Sequence, residues 1–391
     1  MIEIVPVTTK KQLKKFVDFQ IDLYKDNPYY VPPLRGDEIN MLTPGKSPHL
    51  SGDAECQCFL AYKDGKIVGR GAGIVQHLYN KKHNVKYARI SRLDFIDDYE
   101  VSKAIIEAIE NWAKDKGMNT IHGPLGFNDL EREGMLIEGF DKLSTFEMLY
   151  NHPYYQTHIE KLGYKKDVDW IECQIDLPPQ IDERNSRVAK AVAKRSGLTE
   201  VRLNKKQLLN KYADKIFDAL DKAYSPLYGT VPLTNKVRAS LLKQFNLVLD
   251  TDFIVVLVDK EDNLAGFGLA FPSLAKAVQQ TRGRLFPFGF IKVLKALKKC
   301  DTIDLALICV PEEYAKTGAA AIIFDNMFAR FIERGIKLAE TNAQLESNFK
   351  IQSLFNKAFD TKQKTRRRSY IKELVWENYV YQPNTDITAD L

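Results

Sequence analysis

Between Val310 and Ala321 the chain reads Val-Pro-Glu-Glu-Tyr-Ala-Lys-Thr-Gly-Ala-Ala-Ala, an apolar run ended by proline that turns into a helix start made of small residues. The first turn of a helix has unpaired backbone N–H groups and the positive end of the macrodipole, so it attracts an anion. Gly318, Ala319 and Ala320 let a ligand approach that backbone closely, Lys316 adds a charge and Thr317 a hydroxyl donor. A pyrophosphate suits such a junction. Near the start of the long helix in the first half stands Asp94-Phe-Ile-Asp-Asp-Tyr-Glu100, with three aspartates and no glycine. Acids there complement the dipole themselves and repel phosphate. The first half is therefore expected to serve as support or as a pocket wall.

Other residues with chemical potential carry less. Cys56 and Cys58 form a C-x-C pair with no second Cys/His pair at zinc-like distance, and read as neighbours on one strand face. His122, His152 and His158 complete no metal-ligand spacing, so no metal is expected; His158 is a candidate base only if it faces a cleft. Thr365-Arg-Arg-Arg-Ser369 reads as a solvated sheet edge, or as a contact for an anionic donor. Residues 284–299 combine phenylalanines with lysines on an amphipathic pattern. They are expected to cover a sheet, with an acyl-chain wall or membrane contact as the alternative.

The 391 residues are 45% hydrophobic and 28% charged, a globular composition long enough for two domains. A net charge of +6 permits a polyanionic small molecule and does not predict a nucleic-acid partner. Five cysteines without framework spacing point to a reducing compartment. No run approaches the roughly 18 apolar residues of a membrane span, and the basic residues near the N-terminus follow the apolar run instead of preceding it. A cytoplasmic protein is expected.

The elements that must position these residues come in two sets. KKQL at Lys10–Leu13 recurs at Lys205–Leu208, 195 residues on, each time opening an amphipathic helix. The hairpin run Phe59–Ile74 is matched by Phe253–Phe271, with Gly69 and Gly266 197 apart. A strand and long helix closing at Gly117 are matched by a pair closing at Gly335, 218 on, so the second half has gained residues around Arg282–Cys300. Asn151 and Asn348, again 197 apart, each open a further short helix, so the first half regains residues in the loop-like stretch after Gly123. This order predicts a tandem duplication of a mixed α/β unit, residues 1–178 and 179–391, linked by a basic helix after Leu177-Pro-Pro-Gln180.

Element order and motifs resemble the Gcn5-related N-acetyltransferase (GNAT) superfamily, whose pyrophosphate loop reads V-x-P-x-x-[RQ]-x-x-G-x-[GA]. Val310, Pro311, Gly318 and Ala320 carry that likeness with altered spacing, and Ala315 replaces the Arg/Gln. Glu160-Lys161-Leu162-Gly163-Tyr164 matches the later Asn-helix-Glu-Lys-Leu-Gly-Phe motif, and Asn348 to Phe359 matches it more loosely. The resemblance implies two tandem acyl-CoA N-acyltransferase folds of mixed α/β type, the first degenerate and the second retaining the acyl-CoA loop.

It also implies a reaction: transfer of an acyl group from acetyl-CoA or a longer acyl-CoA to a small-molecule or peptide amine. The cofactor would be held by Cys309, Val310, Lys316, Thr317, Gly318, Ala319, Ala320 and Asn348, with a backbone N–H near Cys309 or Val310 polarising the thioester. Glu340, Asn342 and Glu346 are candidates for the proton-transfer role beside the splayed strand. The tyrosine that protonates the departing thiolate in many relatives aligns here with Ile159 and Phe355, and neither can give a proton. The alternatives are a non-catalytic binding or scaffold protein of this fold, and a transferase using an acyl carrier protein or aminoacyl-tRNA-type donor.

Overall fold

A computed structural model describes residues 1–180, 183–349, 352, 355 and 359–375. The first half runs β1 (Ile2–Pro6), α1 (Lys10–Leu23), α2 (Arg35–Met41), β2 (Ala54–Lys63), β3 (Lys66–Gln76), α3 (His77–His83), β4 (Tyr87–Phe95), α4 (Tyr99–Asp115), β5 (Thr120–Gly123), β6 (Met135–Glu138), α5 (Tyr154–Lys161) and β7 (Lys165–Asp176). After the linking helix α6 (Glu183–Ser196) come β8 (Thr199–Glu200), α7 (Lys205–Tyr224), α8 (Asn235–Val248), β9 (Ile254–Val258), β10 (Leu264–Pro272), α9 (Ala275–Thr281) and α10 (Gly289–Lys298). The described chain closes with β11 (Thr302–Cys309), α11 (Ala319–Glu333), β12 (Leu338–Thr341), β13 (Gln344–Leu345) and β14 (Thr361–Glu373).

The duplication is visible element by element. Both KKQL segments begin a helix, with the side chain of Thr9 capping α1 and that of Asn204 capping α7. Gly117 and Gly335, just past α4 and α11, have φ of 74° and 75°, the left-handed conformation that ends a helix. The residues gained by the second half form the loop after α9 and helix α10, whereas α9 itself answers to α3 after the first hairpin. Most of residues 350–358, where the sequence predicts the second short helix, lie outside the described residues.

One continuous sheet spans both halves, in the order β1-β2-β3-β4-β5-β14-β7-β12-β11-β10-β9-β8. Its centre is an exchange: β14 from the end of the chain pairs with β5 of the first half, and β7 of the first half pairs with β12 of the second. Helix α4 packs on the first half's strands through Val101, Ile105, Ile109 and Trp112, and α11 packs on the second half's through Ile323, Met327 and Phe331.

Two expectations are corrected. The arginine run is no solvated edge: β14 lies between β5 and β7, and Arg367 is buried against Glu172 of β7. Arg366 and Arg368 both reach Asp169, at 3.2 and 2.8 Å. The charges are tolerated inside because β7 offers Glu172 to Arg367 and Asp169 to Arg366 and Arg368 together. The stretch after Gly123 is also not all loop, since Met135–Glu138 forms β6 on the flank of β14.

Candidate functional site

Parallel pairing occurs at β4–β5 and at β11–β12, and both pairs part early. The last paired residues of β11 and β12 are Leu305 and Thr341, yet β11 continues to Cys309. A bulge at Ala306 sets what enters this gap: Leu305 pairs with Ala270 of β10, Leu307 with Leu269, and Ala306 is the extra residue. The Ala306 carbonyl faces the gap and accepts from Asn342 Nδ2 at 3.4 Å, and the Ile308 carbonyl accepts from the Tyr224 hydroxyl at 3.2 Å. Strand amides alternate in direction, so the Val310 N–H opens on the same side, whereas the Cys309 carbonyl lies against Gly266 of β10. Of the two backbone positions the sequence offers, Val310 faces the gap.

A cavity of about 1720 Å³ begins at this gap and runs between the two halves. That exceeds the roughly 300–1,000 Å³ of an ordinary small-molecule pocket. Its second-half wall includes Asp304, the segment from Leu305 to Ala315, Thr341, Asn342, Asn348 and Phe355. Its first-half wall includes Arg92, Asp129, Glu131 and Glu133, and most of the remaining lining is apolar.

Asp304 is the residue that sequence reading passed over. It pairs in register with Glu340, one position before the strands part, and is buried. Burial, reinforced by the neighbouring Glu340 and partly offset by Lys364, raises its pKa to about 8. Glu340 itself is taken by Lys364 at 2.8 Å. Only the exchange of β14 brings Lys364 there, so no local pattern could have singled out the trio. Tyr224, at the end of α7, supplies a phenol at the gap that neither Ile159 nor Phe355 can. Burial and then Cys309 raise its pKa, so it keeps its proton.

The expected site residues divide accordingly. Cys309, Val310, Asn342 and Asn348 line the cavity. Glu340 lies behind it with Lys364, and Glu346 is held by Lys166 and Arg366 at 3.1 and 2.6 Å, which lowers its pKa. Lys316 is exposed, and the Thr317 hydroxyl accepts from the Ala319 N–H at 3.3 Å at the start of α11. Gly318 caps that helix with φ 85°, and a Cβ there would meet Val192 of α6 at 2.6 Å. Its smallness therefore admits the linking helix. Ala319 is buried and Ala320 half-buried beside it.

The first half occupies the amide at its own equivalent strand end. The Phe95 N–H at the end of β4 donates to the Tyr155 hydroxyl at 2.9 Å. Asp94 binds Arg70 and Tyr24, Asp97 meets His158, and Asp98 caps α4 while pairing with Lys63. His158 thus faces Asp97 and Ser102, and is not among the cavity's lining residues.

A solved structure of a tandem GNAT protein from the clavulanic acid biosynthesis pathway superposes with a TM-score of 0.56 at 13% identity, covering 96% of this chain and 99% of that one. This chain has the GNAT fold, used twice. In that light the amide at the end of β4 in the first GNAT unit is already bonded by Tyr155, whereas that of Val310 in the second faces the cavity. Two curated proteins are similar over most of the sequence. Protein YghO of Escherichia coli (strain K12) is 28% identical over 353 residues, 87% of each chain. The bacterial ceramide synthase of Caulobacter vibrioides (strain NA1000 / CB15N) is 27% identical over 301 residues, 76% of this chain and 77% of that protein. No family model matches the chain.

Proposed function

We propose that the protein is an N-acyltransferase that moves a long acyl group from a thioester, acyl-CoA in the first instance, to an amine. The observation carrying this is the second unit's gap, where the Val310 N–H, beyond the Ala306 bulge, faces the cavity that Asp304 and Tyr224 also line. Three tasks follow for these groups. Val310 N–H polarises the thioester carbonyl as its oxygen gains charge. Asp304, ionised but six strand positions from Val310, takes a proton from the acceptor's ammonium through intervening water so that the neutral amine can attack, and Tyr224 protonates the departing thiolate. The new C–N bond forms as the C–S bond breaks, releasing free thiol and amide.

The volume and apolar lining of the cavity support a long chain. The relative named a ceramide synthase supports a lipid-like amine acceptor. Glu133 on the first-half wall is buried, with Oε2 unpartnered and its pKa raised by burial and then by Asp129. A carboxyl group so placed suits a hydroxyl or amine of the acceptor, which supports a thioester held by the second unit and an acceptor held by the wall between units.

Coenzyme A thioesters should raise the melting temperature, since a ligand at about 100 times its Kd adds about 2.7 kcal/mol. Lys316→Glu, at an exposed position, should shrink that shift without changing the unliganded melting temperature, as scanning fluorimetry would show. No shift with acetyl-CoA, palmitoyl-CoA or free coenzyme A, together with transfer from an acyl carrier protein, would replace the donor. Tyr224→Phe should keep the fold and lower kcat by about 10- to 100-fold, with a smaller loss for donors whose thiol is more acidic. An unchanged kcat would remove Tyr224 from the mechanism.

A further inference from the structure

The insertion between β10 and β11 is fastened on one side and bare on the other. Its inner face packs Val293, Ala296 and Leu297 against a buried cluster of Val31, Leu274, Ala275 and Val278, on which Leu34, Phe146 and Val248 also pack; these three and Leu274 line the cavity. It is tied across to the first half as well. Gln279 donates to the carbonyls of Pro28 and Tyr30 at 2.9 and 3.0 Å, and the Gly283 carbonyl accepts from the Arg35 N–H at 2.9 Å. The segment is thus fastened behind residues of the cavity wall.

Its outer face exposes Phe286 at 81%, Phe288 at 73%, Leu294 at 51%, Ile291 at 42% and Phe290 at 39%. Half of the large hydrophobic side chains exposed among the described residues therefore fall within nine positions. Leu247 of α8, 75% exposed, lines the cavity, and its neighbour Val248 packs on the same cluster as α10. A contiguous apolar surface of this kind marks a contact with something other than water.

Charge identifies the contact. From Phe271 to Cys300 there are seven basic residues and no acid, more than the whole chain's net +6. Among the described ion pairs, none involves Arg284, Lys292, Lys295, Lys298 or Lys299. A second copy of this chain would bring like charges together in a twofold contact. Five of the seven are lysines, a residue depleted at protein–protein interfaces but suited to lying along an apolar surface with its charge among mobile headgroups. Aromatic and aliphatic side chains framed by lysines on a short amphipathic helix are the pattern of an interfacial membrane contact. Among the described residues no helix is long and apolar enough to cross a membrane, so the contact is with the surface.

We propose that α9, α10 and the loop between them seat the protein on an anionic lipid bilayer, with Phe286, Phe288, Phe290, Ile291 and Leu294 entering the interface and the Leu247–Val248 rim of the cavity facing the membrane. A lipid substrate then passes between bilayer and cavity without crossing water. This docking does not depend on the acyl-transfer reading.

The test is sedimentation of the full chain with vesicles. It should bind phosphatidylcholine vesicles containing 30% phosphatidylglycerol, bind pure phosphatidylcholine far more weakly, and release as salt rises. Phe286→Ser with Phe288→Ser should weaken binding at least tenfold. Lys292→Glu with Lys295→Glu and Lys298→Glu should weaken it about 100-fold. These positions are solvent-facing, so melting temperature and transfer between detergent-solubilised substrates should be unchanged. Absence of vesicle binding, or binding indifferent to both sets, overturns the proposal. So does loss of acyl carrier protein binding in the variants with vesicle binding intact, which would make the patch a protein dock.

Discussion

Replacing Asp304 by asparagine should remove most of the transfer activity and make the protein more stable at neutral pH. The two effects have one origin. In the unfolded chain an aspartate titrates near 3.9, whereas burial and Glu340 raise Asp304 to about 8 in the fold. Between those values the folded chain keeps a proton that the unfolded chain has released. Stability attributable to this group therefore falls as pH rises through that window, and its cost is complete above about 8. Asparagine carries no such titration, so the stability gain of the variant should grow from pH 5 to pH 8. Catalysis needs the opposite state, because only the carboxylate accepts a proton. The parent rate should rise with pH toward a limb near 8, and the variant should lose both that limb and about 10²- to 10⁴-fold in kcat. Denaturant titrations at several pH values, read beside the pH–rate profile, separate the outcomes. An asparagine variant that is less stable and keeps the rising limb would show that Asp304 is a structural acid.

Arg367→Met should be the most damaging single change to the fold, at about 3–5 kcal/mol. Arg367 is 1% exposed and its partner Glu172 is fully buried, at the centre of the sheet where the halves interlock. Removing the guanidinium leaves a buried carboxylate unpaired, and Glu172 Oε2 is already without a hydrogen bond. Pairing the change with Glu172→Leu should restore much of the loss, since no charge then remains to be desolvated. Because β14 bonds to β5, β6 and β7 at once, both halves should unfold in one transition in the parent. Urea titration reads the single and double variants directly. A single variant within 1 kcal/mol of the parent would mean that the pair holds little of the sheet together.

Much of the architecture was legible from local patterns. The two KKQL helix starts, the glycines closing the long helices and the inserted segment all appear where the repeat puts them, because caps, turns and amphipathic faces depend on neighbours within a few residues. The acidic junction of the first half was legible for the same reason, and its three aspartates are engaged by protein partners. The candidate site was half legible. Val310, Asn342 and Asn348 sit on the cavity wall, but Asp304 and Tyr224 carried no motif. A lone aspartate in an apolar strand and a tyrosine at a helix end gain their chemistry from a bulge in β11 and a lysine 60 positions along the chain.

The arginine run shows the division between chain and fold most clearly. Residues 365–369 have the local character of a solvated strand, and no property of those residues alone says otherwise. Sheet order depends on which strand edges find each other, a long-range choice made by matching charges and apolar faces across the whole molecule. Here that choice places β14 between β5 and β7, opposite Asp169 and Glu172. Tandem units, mixed α/β class and the capped junctions follow from the order of residues along the chain. The exchanged strands, the cavity between the halves and the raised pKa of Asp304 follow from burial, which exists only once distant segments have closed over one another.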